Sequence, residues 1–103
     1  MSQDPLAEFK NRQREMWSTF APTAMFTTPV AGHLVRFAQV EQGESVLDVG
    51  TGTGVVAVTA ARRGARVTGL DLTPELVEAA GENATIAGLR DIVWTAGGAE
   101  DLP

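Results

Sequence analysis

Hydrophobic residues recur along this chain with two different periods, and the change falls near Gly43. In PLAEFKNRQREMWSTF, Leu6, Phe9, Gln13, Met16, Trp17 and Phe20 fall at helical spacing. They predict one amphipathic helix with Asp4 and Pro5 at its start. APTAMFTTP, with Pro22 and Pro29, breaks that pattern and reads as a loop carrying apolar side chains. VAGHLVRFAQV predicts a second helix that ends near Glu41–Gly43, with Val30, Leu34, Val35 and Phe37 on its apolar side.

From Ser45 the period shortens. SVLDVG is a nearly continuous apolar run, as expected of a strand buried on both faces. VVAVTAARR reads as a helix of small residues closed by Gly64, and ARVTGLDL as a second strand. Thr73 as N-cap and Pro74 in the first turn start a helix over TPELVEAAGENATIAG, which Gly88 ends. DIVWTAG is a third strand, with Trp94 read as core or sheet-edge packing, and GAEDLP a loop. The order β-α-β-α-β with tight connections implies a parallel sheet with right-handed crossovers. This is half of a doubly wound α/β fold, whose ligands lie beyond the carboxyl ends of the strands. The chain divides into a helical lead-in, residues 1–43, and a sheet unit, residues 44–103.

Composition narrows the setting. A chain of 103 residues with 44% hydrophobic and 20% charged residues reads as a single soluble globular unit. No apolar run approaches the roughly 18 residues that span a bilayer, so no membrane partner is expected. MSQDPLAEFKNRQ lacks the apolar core of a signal peptide, and a cytoplasmic location is expected. The absence of cysteine excludes disulfides and thiolate metal sites, and a lone histidine, His33, makes no metal site. A net charge of −5 speaks against nucleic acid as a partner. Lys10, Arg12 and Arg14 read as the solvated face of the first helix.

The chemistry concentrates in VLDVGTGTG, Val46 to Gly54. At a strand-to-helix turn, Gly50 can take backbone angles denied to other residues. Gly52 lets a ligand lie against the peptide itself, and Gly54 lets the next helix pack close to the strand. That helix start offers free N–H groups and a positive dipole end, suited to an anion. Asp71 ends the second strand, where a carboxylate can accept from both hydroxyls of a ribose; it could also simply help to start the helix at Thr73. Gly52, Gly54 and Ala57 fit the dinucleotide fingerprint G-x-G-x-x-A. Asp48 argues against that reading, because an acid there would repel a pyrophosphate. The same acid suits a ligand bearing an ammonium and a sulfonium, such as S-adenosylmethionine, whose carboxylate is left for the helix N-terminus.

These residues resemble the class I S-adenosylmethionine-dependent methyltransferases, in particular the branch that includes ubiquinone and menaquinone biosynthesis enzymes. The matching motifs are VLDVGTGTG, VTGLDLTPELVEAA and GGAEDLP, within Ser45 to Pro103. The resemblance implies a Rossmann-like half-sheet of three parallel strands in the order 3-2-1. Asp48 would sit by the methionine ammonium, directly or through water, and Gly50, Thr51, Gly52 and Gly54 would line the methionine and ribose. Asp71 would hold the ribose hydroxyls, Leu72 would cover the adenine, and the Ala99 N–H would meet an adenine nitrogen. Gly98 departs from the pattern: related sequences carry an aspartate there that accepts from the adenine amino group. Losing such a bond costs about 1.5–3 kcal/mol. Glu100 and Asp101 are candidates to fill in for it, although Glu100 belongs to the usual pattern and Asp101 also reads as solvated.

The implied activity is methyl transfer from S-adenosylmethionine to a small molecule, with this chain the cofactor-binding part. The fourth strand and any catalytic residue are expected beyond Pro103, so no catalytic residue is named. Trp17, Phe20, Met25 and Phe26 would either form a lid over the site or pack in the core. The Ser45–Val49 edge, lacking its neighbour, is expected to be covered by a homo-oligomer or by the C-terminal half. Two other readings compete: a non-catalytic interaction module that pairs through this edge, and a fragment of a dinucleotide-dependent oxidoreductase. Asp48 and GAEDLP argue against the latter.

Overall fold

A computed structural model describes residues 5–17 and 28–102. Helix α1 spans Ala7–Trp17 and α2 Thr28–Phe37. The sheet unit follows as β1 Ser45–Val49, α3 Val55–Arg62, β2 Arg66–Asp71, α4 Pro74–Ile86 and β3 Val93–Ala96. A short 3-10 turn, Ala99–Asp101, occupies what the sequence presented as a loop. The three strands are parallel in the order β1-β2-β3, with Val46 opposite Val67 and Leu70 opposite Thr95. The expected half of an α/β methyltransferase-type fold is therefore present, with β1 at one edge. The lid or core reading of the Trp17 side chain, Phe20, Met25 and Phe26 falls outside the described residues.

Alternation along the strands decides which face is buried. Val46, Val67 and Trp94 join Ala57 and Ala60 of α3 and Ala84 of α4 in one core, to which α2 adds Val35. The opposite face carries Leu47, Val49 and Val93 outward, 41%, 46% and 57% exposed. The expectation that SVLDVG is buried on both faces is thus not met: its alternate residues Ser45, Leu47 and Val49 are exposed.

Helix α2 also departs from expectation. It begins at Thr28, with Pro29 in the first turn, where a missing N–H leaves no intrahelical bond unmade. It ends at Phe37, earlier than the sequence suggested, and Gln39 turns the chain with a φ of 54°. Its buried residues are Ala31 and Val35, one helical turn apart, whereas Val30, Leu34 and Phe37 point outward and Phe37 is 88% exposed. His33 is exposed on the same helix.

Small residues let Trp94 into the middle of the unit. A Cβ built on Gly69 of β2 would lie 2.5 Å from its Cζ3, and one on Gly54 would lie 2.9 Å from its Cη2 and 3.1 Å from the Ala80 Cβ. The indole therefore lies over the β2 backbone and wedges α3 and α4 against the sheet. At the start of α4, Thr73 occupies the cap position but makes no side-chain cap bond. Its hydroxyl is buried and without a hydrogen-bond partner, contrary to the capping role expected from the sequence.

Candidate functional site

The three strands end on one side of the sheet, and each end contributes backbone to a cleft of about 470 Å³. The β1 end supplies Val49, Gly50 and Gly52, and the β2 end Leu70, Asp71, Leu72 and Thr73. Beyond β3 come Gly97, Gly98, Ala99 and Glu100, and Leu76 of α4 closes the floor. Across the opening lie Leu6, Phe9, Lys10 and Gln13, from α1 and the residue before it.

The turn after β1 is held by the neighbouring strand. The N–H groups of Gly50 and Thr51 both donate to the Leu70 carbonyl, at 2.8 and 2.9 Å. Gly50 and Gly52 have φ of 73° and 57°, left-handed values that favour glycine, and a Cβ at either would meet nothing within 4 Å. Their peptides thus face open cleft. Asp71 fastens the turn: its Oδ2 accepts from the Gly52 N–H at 2.8 Å and its Oδ1 from the Thr73 N–H at 2.9 Å. One carboxylate ties the β1 turn to the start of α4, and each oxygen keeps lone pairs for a further donor. The alternative weighed from the sequence, that Asp71 helps to start the helix, is one half of what it does.

Three candidates lie elsewhere. Gly54 is buried against Trp94 and Ala80 and does not line the cleft, so its part is close packing. Asp48 points into the turn beneath the glycines. Its carboxylate accepts from the Thr51 hydroxyl at 2.7 Å and from the Ala57 backbone N–H in the first turn of α3. Burial pushes the Asp48 carboxyl above its ordinary value and Asp71 adds to that, while the Thr51 and Ala57 hydrogen bonds pull it back. One of the N–H groups at the α3 start is therefore already matched by Asp48. Thr51 is buried with its hydroxyl turned to Asp48 rather than to the cleft.

Two cations that the sequence assigned to a solvated face turn inward. The Lys10 ammonium pairs with the Glu100 carboxylate, and only 14% of its side chain is exposed. Arg14 Nε donates to the Leu72 carbonyl at 2.9 Å. Both bonds run from α1 to the cleft rim. Helical spacing could place Lys10 and Arg14 on one side of α1, but not tell that this side faces the sheet.

The sequence profile of the methyltransferase domain family matches residues 46–103, more than half of the chain. An uncharacterized protein of Mycobacterium tuberculosis is 40% identical over 93 residues, covering 87% of this chain and 34% of that protein. The ubiquinone biosynthesis O-methyltransferase of Paracidovorax citrulli is 37% identical over 92 residues, covering 86% of this chain and 38% of the enzyme. The chain thus spans about a third of the length of these curated relatives. Among solved structures, an RNA methyltransferase from Salinibacter ruber in complex with S-adenosyl-L-homocysteine superposes with a TM-score of 0.68 and 30% identity. That match covers 72% of this chain and 50% of that one. With the parallel half-sheet and its glycine turn, these matches show that the chain belongs to the class I S-adenosylmethionine-dependent methyltransferase domain family.

Proposed function

We propose that this chain binds S-adenosylmethionine in the cleft above its strand ends and forms the cofactor half of a methyltransferase acting on a small molecule. The observation that carries the reading is the Gly50–Gly52 turn tied to Asp71, which sets open backbone beside a carboxylate with spare lone pairs. The cleft residues fit the ligand. The turn accommodates the amino-acid part against bare peptide, Asp71 accepts from ribose hydroxyls, and Leu72 with the Ala99 N–H borders the base. The cofactor supplies a methyl group on a sulfonium when bound. Asp48, held under the turn, contributes negative charge to the cationic end through the structure rather than by standing in the cleft.

A small-molecule acceptor is favoured by the net charge of −5, since proteins that bind polyanions are commonly basic, and by the likeness to a ubiquinone biosynthesis O-methyltransferase. The likeness to an RNA methyltransferase favours the opposite reading. Calorimetric titration of S-adenosylmethionine, S-adenosylhomocysteine and NAD into the chain tests the cofactor. Binding of both adenosyl ligands without NAD is expected, and NAD binding or no binding at all refutes the proposal. The interaction-module reading rests on Leu47 and Val49 exposed on the unpaired β1 edge. Concentration-dependent association that persists without any affinity for the adenosyl ligands would favour it.

A further inference from the structure

Among the described residues, the two most exposed large hydrophobic side chains end two different helices. Phe37 closes α2 and is 88% exposed, and Ile86 closes α4 and is 85% exposed. Neither lines the cleft. A helix gathers residues three, four and seven apart on one face. Phe37 thus continues a stripe with the exposed Val30 and Leu34, and Ile86 continues one with Glu75, Ala79 and Glu82. Apolar side chains so open to water mark a contact surface. Charge tells the two stripes apart. Helix α2 carries His33 and Arg36 and no acid, whereas α4 carries Glu75, Glu78 and Glu82 and no lysine or arginine. Packing like on like would set arginine against arginine or glutamate against glutamate, so α2 of one chain fits α4 of another.

The fold lets both contacts form at once. Helix α2 packs on α3, while α4 lies on β2 and β3 on the side of the sheet that α3 also covers, so α3 stands between them. Arg63, just past α3, donates from Nε to the carbonyl of Val40, just past α2, so these two helices end together. Helix α4 runs the same way as α3, since each leads from one parallel strand to the next. A two-fold axis along α3 therefore sets α2 of each copy beside α4 of the other, in the same direction. Phe37 is seven residues after Val30, and Ile86 seven after Ala79. When Val30 meets Ala79, Phe37 meets Ile86 and Arg36 comes within reach of Glu82. We propose that this helical face joins two copies of the chain through reciprocal α2–α4 contacts, closed by that axis.

Sedimentation equilibrium across a range of concentrations tests it. The wild-type chain should dimerise reversibly. Phe37→Glu and Ile86→Lys should each weaken the dimer by about tenfold or more; both side chains already stand in water, so neither change disturbs the core, and circular dichroism checks that the fold is kept. Arg36→Glu and Glu82→Arg should each weaken it by about tenfold, because either turns two attractions into two repulsions. Mixing those two variants should restore association, since opposite charges then face each other at both contacts. Leu47→Lys, on the exposed side of β1, should leave the dimer unchanged. A wild-type chain that stays monomeric into the millimolar range overturns the inference. A dimer that survives both Phe37→Glu and Ile86→Lys overturns it as well, and dissolution by Leu47→Lys alone would move the contact to the β1 edge. Charge variants that fail to associate when mixed would refute the reciprocal pairing.

Discussion

Asp71→Ala is the most informative single change, because Asp71 has a structural task that can be measured with no ligand present. Its carboxylate accepts from the Gly52 N–H at 2.8 Å and from the Thr73 N–H at 2.9 Å. Hydrogen bonds to a charged group contribute about 1.5–3 kcal/mol each, and partly buried donors left unmatched keep much of that cost. Two such bonds at a half-buried site set the gross loss at about 3–4 kcal/mol. Removing Asp71 also relieves its repulsion of Asp48, which works in the opposite direction. The expected net loss is about 2 kcal/mol, a large share of the roughly 5–15 kcal/mol that holds a domain of this size. Urea unfolding of the ligand-free protein measures it as a lower midpoint with unchanged slope. Asp71→Asn should recover only part, because one amide oxygen replaces two acceptors and the amide nitrogen confronts an N–H. Unchanged ligand-free stability in Asp71→Ala would refute the idea that this carboxylate ties the turn to α4. Any loss of S-adenosylmethionine binding would then belong to the ribose contact alone.

The other predictions concern the core and the acid beneath the turn. Thr73→Val keeps the shape and removes a buried hydroxyl without a partner, so it should stabilise by about 1 kcal/mol in thermal or urea unfolding; destabilisation would show that the hydroxyl is engaged. Gly69→Ala drives a methyl to 2.5 Å from Trp94 and should cost about 1–3 kcal/mol, with a shift in Trp94 fluorescence that shows the ring displaced. Asp48 has a folded value raised above its ordinary 3.8, so the native state binds the extra proton in the window that begins there and ends above that raised value. Through this window stability falls as pH rises, and the charged form carries the cost at all higher pH. Asp48→Asn should therefore lack that decline, and a stability difference growing with pH across the window and then level is the result to look for in urea titrations.

The half-sheet was legible because its signals are local. The change of hydrophobic period at Ser45, the glycines at Gly64 and Gly88 with φ of 90° and 79°, and Pro74 after Thr73 each act within a few residues of where they stand. The turn and Asp71 were legible for the same reason, since both sit at strand ends that the pattern marks. What the sequence misjudged depends on rotation about an axis. Val30, Leu34 and Phe37 are as apolar as Val35, and only packing on α3 decides that Ala31 and Val35 turn inward. Asp48 alternates onto the core side of β1 with Val46 and lies beneath the turn, a placement that the resemblance left open between direct and water-mediated contact with a ligand. Gly54 serves the close packing expected of it, with Trp94 of β3 seated against its bare Cα, rather than lining the cleft as the resemblance implied.

The cleft therefore combines two kinds of determinant. Its middle is main chain, set by the Gly50–Gly52 turn and fastened by one carboxylate, and such a surface recognises what any ligand of this class presents there. Its rim depends on side chains of α1 that reach distant parts of the chain: Lys10 to Glu100, and Arg14 to the Leu72 carbonyl. Neither contact has a sequence signature, because a lysine on a polar helix face looks the same whether it points to water or to a glutamate on a distant turn. The same contacts join α1 to the strand ends. A change at the rim should alter ligand selection and the seating of α1 together, while a change in the turn should alter the stability of the sheet unit. Separating those two responses, by S-adenosylmethionine affinity for one and ligand-free unfolding for the other, distinguishes an α1 that shapes the cleft from one that only covers it.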